Sequence, residues 1–186
     1  KIYAAIFNHY GNDYWAFAFK QNNVESFYDE EGNSLRRSFL KAPLRFKRIS
    51  SRFSYSRKHP ILKIRRPHLG IDYAAPRGTP VYAIGDGVIV EMKYKKQAGR
   101  IMKIKHNSVY KTGYLHLANF ANGLKVGSRV KQGQLIGRVG STDLSTGPHL
   151  DFRFWKNGKP VDPLKIDAPP VEGINENIMD SFSIIA

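Results

Sequence analysis

Apolar and polar residues alternate along most of this chain, and Gly, Asn and Pro interrupt the alternation every ten residues or so. A period of two places successive side chains on opposite faces of an extended strand, whereas a helix would repeat near 3.6. Residues 2–7 and 14–19 read as strands on either side of the turn signal Asn8 to Asp13, so the chain opens on a hairpin. Phe27 and Tyr28 ahead of Asp29-Glu30-Glu31-Gly32-Asn33 predict a further strand closed by a tight turn. Residues 79–84, 88–94, 100–106 and 109–117 are β-like, and glycines bracket short apolar strands between Ser128 and Gly137. One helical turn is expected within 119–127. Asn157-Gly158 predicts a two-residue hairpin turn. Residues 171–186 are expected to form a short amphipathic helix through Ile178, Met179, Phe182 and Ile185, or a partly ordered tail. Short strands at this spacing with little helical periodicity predict a mainly β, antiparallel sheet domain.

The same period sorts the chemistry. In Pro148-His149-Leu150-Asp151-Phe152-Arg153-Phe154, His149, Asp151 and Arg153 fall on one face and Leu150, Phe152 and Phe154 on the other, a polar face over an apolar layer. His149 and Asp151 then point the same way and can share one ion or one substrate. His68 and Asp72 are four apart in a segment preceded by Pro67 and broken by Gly70, which favours a loop entering a strand over a helix. A third histidine, His116, sits in the apolar run Tyr114-Leu115-His116-Leu117. Neutral imidazole and carboxylate are ordinary zinc ligands. A lone histidine is more often a hydrogen-bonded structural residue, so spacing by itself does not choose between these roles.

Composition bounds the answer without deciding it. With 186 residues, 41% of them hydrophobic and 12% aromatic, the chain can bury a globular core beside a small appendage. It has no cysteine, so no disulfide contributes, and no apolar run approaches the roughly 18 residues that span a bilayer. It starts on Lys1 and Ile2, as a mature or trimmed chain would, which leaves export open. The net charge of +15 is concentrated. Between Leu35 and Arg66 basic residues accumulate, from Arg36 and Arg37 to Arg65 and Arg66, without one Asp or Glu. Such a field attracts polyanions. No zinc-finger, RRM-like or helix-turn-helix pattern accompanies it, so nucleic acid is not the expected partner.

Several stretches together resemble a known family. They are His68-Leu69-Gly70-Ile71-Asp72-Tyr73-Ala74-Ala75-Pro76, Gly78-Thr79-Pro80-Val81, Gly85-Asp86-Gly87-Val88, Tyr114-Leu115-His116-Leu117, and Gly140-Ser141-Thr142 through Ser145-Thr146-Gly147-Pro148-His149-Leu150. From about Ser50 to Leu164 the chain resembles, in order, the lysostaphin/LytM-type zinc endopeptidases of the bacterial cell wall. The resemblance implies an antiparallel β-sheet groove domain at 46–166, a β-rich remnant of an upstream module at 1–45, and a tail at 167–186. It implies His68 and Asp72 as metal ligands, His116 and His149 as catalytic histidines, and a groove in which Tyr114, Thr146 and Gly147 contact substrate. The family's H-x-H element departs here to His149-x-Asp151, so Asp151 stands at the third ligand position.

Two readings of that departure stay open. An Asp oxygen can replace an Nδ1 ligand, giving a weaker zinc site or one that accepts another divalent metal, with slower turnover at neutral pH than an H-x-H relative. Alternatively, the groove survives as a pseudo-peptidase that binds peptidoglycan or regulates a partner hydrolase. On either reading the resemblance implies peptidoglycan peptides as partners and a bacterial envelope location, periplasmic or secreted. Anionic envelope polymers are then expected on the basic 36–66 stretch.

Overall fold

The structure is a computed structural model that describes residues 1–58, 65–96, 98–141 and 147–186. Its chain divides into two compact units, one built from residues 1–39 and 168–186 and the other from residues 40–167. The expected division sets its boundaries at 45/46 and 166/167. What differs is the tail, which is part of the first unit.

In that unit β1 (Ala4–His9), β2 (Asn12–Gln21) and β3 (Val24–Tyr28) form an antiparallel sheet in the order β1-β2-β3. The opening hairpin turns on Tyr10 and Gly11, whose φ angles of 51° and 82° give the left-handed pair that a two-residue turn between twisted strands requires. One helix follows far downstream, α1 (Met179–Ser183). It is only five residues long and places Phe182, fully buried, against Phe17, Tyr28 and Ile174. A helix this short has little stability of its own, so burial of Phe182 holds it. The tail is also tied by backbone hydrogen bonds, Val171 N–H to Arg36 O at 2.9 Å and Ile174 N–H to Gly32 O at 2.8 Å.

The second unit is one large antiparallel sheet with a separate ribbon. Its strands are β4 (Arg48–Ser51), β5 (Ser54–Lys58), β6 (Arg65–His68), β7 (Ile71–Ala74), β8 (Pro80–Tyr82) and β9 (Gly87–Lys95). They continue with β10 (Gly99–Lys105), β11 (Tyr110–Phe120), β12 (Arg129–Val130), β13 (Leu135–Val139), β14 (His149–Lys156) and β15 (Lys159–Val161). The sheet runs β12-β9-β10-β11-β14-β7-β4, with β13 joining β11 to β8 and β15 on β14, while β5 and β6 form a separate two-stranded ribbon. Alternation puts Ile71, Tyr73, Met102, Ile104, Tyr114, Leu150, Phe152 and Phe154 into the core, each at 2% exposure or less. The helical turn expected in 119–127 does not form. β11 continues to Phe120, and Gly123 and Gly127, with φ of 79° and 90°, then turn the chain. Asn157 and Gly158 form the expected turn between β14 and β15, with φ of 50° and 75°. His59 and most of the expected groove wall, residues 142–146 with Thr146 among them, lie outside the described residues.

Candidate metal centre

Three adjacent strands assemble the site. β14 lies between β11 and β7, and the register sets Leu115 opposite Asp151, Asp151 opposite Asp72, and His149 opposite Ala74. His68 ends β6, and Gly70 lets the chain bend directly into β7, so a separation of four residues brings His68 and Asp72 together without a helix. One ligand atom each from His68, Asp72 and Asp151 lies within 4.8 Å of the others.

These three groups are placed so that they can share a cation. Asp72 and Asp151 are cross-strand partners, and like charges directly opposite each other destabilise a sheet unless something bridges them. His68 Nδ1 lies 3.1 Å from the backbone oxygen of Arg52, an atom that can only accept, so Nδ1 carries the proton. Its other nitrogen, Nε2, then faces Asp72 Oδ1 at 3.0 Å. Two lone pairs cannot be held at that distance without a proton or a metal ion between them. Burial pulls the His68 pKa down, but the hydrogen bond and charge of Asp72, the charge of Asp151 and the bond to Arg52 outweigh it and leave it raised. A site with one imidazole, two carboxylates and an outer-shell carbonyl fixing the tautomer matches the donor chemistry of a zinc-type site.

Asp151 is held from behind as well. Arg153, two residues on and therefore on the same face, donates from Nε to Oδ1 at 3.0 Å and to Oδ2 at 3.2 Å, and from Nη2 to Oδ2 at 2.7 Å. Burial raises the Asp151 pKa, but the hydrogen bonds and charge of Arg153 outweigh it, with the positive side of His68 and His116 assisting, so the carboxyl stays below its ordinary range. Gly70 makes room for this group. A Cβ at residue 70 would stand 2.5 Å from Asp151 Oδ1, 2.7 Å from the Phe152 carbonyl oxygen and 2.8 Å from Arg153 Cγ.

Both remaining histidines reach the same place. His149 donates from Nδ1 to the Gly147 carbonyl at 2.9 Å, which leaves Nε2 aimed at the cluster, 3.8 Å from Asp72 Oδ1. His116 stands on a bulge where the β10–β11 register shifts, and its φ of 62° is left-handed. Bulges re-aim side chains, and this one turns the His116 ring to 4.7 Å from that of His149. Backbone bonds fix the distortion, His116 N–H to Ala98 O at 2.9 Å and Gly140 N–H to His116 O at 2.8 Å. Burial, together with the nearby His149 and Arg153, pulls the His116 pKa down to about 4 against the opposing pull of Asp151 and Asp72, so its ring is neutral at ordinary pH.

Of the expected site residues, the structure brings together His68, Asp72, Asp151, His116 and His149, with Gly147 at the edge. Tyr114 does not face the groove. Its ring is fully buried, and its hydroxyl accepts from Ile84 N–H at 3.1 Å and lies 3.2 Å from Thr112 Oγ1, so it is a satisfied core residue. Arg153 had no expected role at the site, Gly70 figured only as the break after His68, and Arg57, whose Nη2 lies 3.8 Å from Asp72 Oδ2, only as part of the basic 36–66 stretch. The i, i+2 spacing of Asp151 and Arg153 was a usable signal for the first of these; nothing local marked Arg57.

A sheet-borne cage of one histidine and two carboxylates, with two further imidazoles beside it, is the arrangement of a metallohydrolase. The family profile described as Peptidase family M23 matches residues 66–163, and the chain belongs to that family. It is 38% identical over 181 residues to the peptidoglycan DD-endopeptidase ShyC of Vibrio cholerae, covering 97% of this chain and 41% of that protein. Its structure is similar to that of a zinc containing peptidase from Vibrio cholerae, with a TM-score of 0.66, 42% identity, and coverage of 91% of this chain and 51% of the other. The catalytic domain of lysostaphin from Staphylococcus simulans aligns with a TM-score of 0.54 and 32% identity, over 63% of this chain and 89% of that domain. The chain thus spans less than half the length of ShyC. Among the described residues no helix is long and apolar enough to cross a membrane.

Proposed function

We propose that this chain carries the active site of a zinc-dependent endopeptidase that hydrolyses peptide cross-links or stem peptides of peptidoglycan in the bacterial envelope, periplasmic or secreted. The observation that supports it most directly is the convergence of His68, Asp72 and Asp151 within 4.8 Å beside two further imidazoles. Bound there by these three residues, a divalent cation supplies Lewis-acid polarisation of water and of the scissile carbonyl. His149, with Nδ1–H fixed on Gly147 O, keeps the Nε2 lone pair free to take a proton from the attacking water and return it to the leaving amine. His116, neutral above about pH 4, can donate an N–H to the developing oxyanion without first shedding a proton. The exposed Arg45, Lys47, Arg48, Arg52, Arg65 and Arg66 are the proposed contact for anionic wall polymers.

One observation favours the other reading, a groove that binds wall peptides or a partner without cutting: Arg153 already engages both oxygens of Asp151. Each carboxylate oxygen has a second lone pair, so the guanidinium and an ion can be held together. The deciding experiment measures zinc by elemental analysis and soluble muropeptides released from cross-linked sacculi, with and without chelator. The peptidase reading expects about one zinc per chain, release of muropeptides, and loss of release on chelation. It fails if the chain retains no zinc from excess and releases nothing while Asp151→His does both.

A further inference from the structure

We propose that Arg57 is a substrate-binding residue, and that it takes the free carboxylate carried by the amine-side residue of the scissile peptide bond. The proposal rests on the peptidase reading and adds to it a requirement on the substrate.

Charge balance gives the first reason. Asp72 and Asp151, the two carboxylates of the cage, are each approached by a guanidinium, Arg57 at 3.8 Å and Arg153 at 2.7 Å. Two negative charges are therefore already matched by two positive ones, and a divalent ion leaves the site with a surplus of two positive charges. Such a surplus in a partly buried groove favours an anionic ligand. The surroundings add to it. β5 and β6 form a ribbon in which Arg57 stands directly opposite Arg66, a like-charge pair that costs stability. Arg52, Arg65 and Arg66 are exposed and form no ion pair with any described residue.

The second reason is local. Arg153 closes its Nε and Nη2 edge over a carboxylate at 2.7–3.2 Å, the side-on fork that matches two carboxylate oxygens. Arg57 does not close on a carboxylate in this way. Its Nη2 stands 3.8 Å from Asp72, beyond hydrogen-bonding distance, and its Nε is buried without a hydrogen-bond partner. A buried guanidinium donor left unpaired is costly, and a group whose only task was to steady Asp72 would have closed on it. Arg57 is instead anchored at the edge of the cage with 26% of its side chain still exposed. Nε itself is closed to solvent, so it is through the exposed part of the guanidinium that a ligand brings the acceptor Asp72 does not supply. Arg57 lies next to a metal ligand, so the group it meets is close to the scissile carbonyl. In a peptide whose amine-side residue has an unblocked carboxyl, that carboxylate is the nearest anion.

The test compares two peptides that differ only there, an acyl-D-alanyl-D-alanine with a free carboxylate and its C-terminal amide, on the zinc-loaded full chain. The expected result is a kcat/KM at least tenfold higher for the acid, carried mainly by KM. That ratio should fall towards one in Arg57→Gln and only partly in Arg57→Lys, with one zinc per chain retained in both. The acid-to-amide ratio of the unmutated chain needs no variant, so misfolding of Arg57→Gln cannot shield the proposal. Equal use of acid and amide overturns it, and so does loss of zinc from Arg57→Gln, which would make Arg57 a support for Asp72. If neither peptide is cut, muropeptide release from sacculi still judges the peptidase reading, and calorimetric binding of the same pair decides the role of Arg57. Tenfold tighter binding of the acid that disappears in Arg57→Gln sustains the assignment, and equal binding ends it.

Discussion

Gly70→Ala tests the cage through a residue that is not itself a ligand. The added Cβ would lie 2.5 Å from Asp151 Oδ1, 2.7 Å from the Phe152 carbonyl oxygen and 2.8 Å from Arg153 Cγ, where 3.4 Å begins ordinary contact. Neither of the first two atoms yields cheaply. The Phe152 carbonyl belongs to a central strand, and Asp151 is clamped by Arg153. Relief therefore requires β7 and β14 to separate locally or Asp151 Oδ1 to retreat by about 0.9 Å. Overpacking of this kind costs about 1–3 kcal/mol, which in a chain of this size lowers Tm by about 2–12 °C. Disturbing the groups that orient a metal ligand typically costs about 10–100-fold in affinity, so zinc affinity should drop at least about tenfold. The assay is competition for zinc against a chromophoric chelator, paired with thermal melts of the metal-free chain. Gly147→Ala is the control, because its Cβ would meet nothing within 4 Å among the described residues and its backbone is not left-handed. If Gly70→Ala binds zinc within threefold of the unmutated chain and melts at the same temperature, the close approach of Asp151 to residue 70 is wrong and the proposed cage with it.

The remaining predictions use other parts of the molecule. Phe182→Ala should cost about 3–5 kcal/mol and melt the first unit early, read from Trp15 fluorescence, while zinc binding is unaffected; loss of zinc would show that the units are not separately stable. His106 should make stability depend on pH. Burial lowers its folded pKa below the ordinary 6.5 despite the bond to Asp86 O, so the unfolded chain takes the proton first. Stability is therefore full above about 6.5 and declines as pH falls below it towards the folded value. Urea midpoints between pH 5 and 8 should lose part of this slope in His106→Gln, and an unchanged slope refutes the assignment. Arg153→Gln should raise the Asp151 pKa and loosen its side chain, seen as broadened carboxyl resonances in the metal-free protein; an unaltered Asp151 signal would show that the ion pair does not set its position.

Fold class was legible because alternation at period two is a local property, and the strongest turns name themselves. Asn157-Gly158 and Gly11 demand left-handed backbone, and strands end there. The failures were non-local. Asn119 to Gly127 has the polar, small-residue composition of a helical turn, but pairing of Asn119 and Phe120 with Arg138 and Gly137 extends β11 through its first part. Tyr114 stands two residues before a site histidine, and the family resemblance implies it as a groove residue. The bulge at His116 breaks the alternation, so a neighbour that counting would place beside it is directed into the core. The tail showed a suitable apolar spacing, yet only the partner surface of Phe17 and Tyr28 decides that Phe182 is buried and Ile185 is not.

The same limit applies to Asp151. Read along the chain, an Asp in place of the family's imidazole adds a negative charge, weakens the ion as an acid and predicts slow chemistry. Across the sheet, that charge is not isolated. Arg153 returns one positive charge at 2.7 Å and fixes the plane of the carboxylate, as a ring would be fixed by its own second hydrogen bond. The Asp151–Arg153 pair is neutral as a unit, like the imidazole it replaces. Judged by total charge, the cage is then closer to that of an H-x-H relative than the single substitution suggests, and the expected handicap shrinks accordingly. A ligand change and its compensation can be two residues apart in sequence and still be read as one group, provided the strand places both on one face.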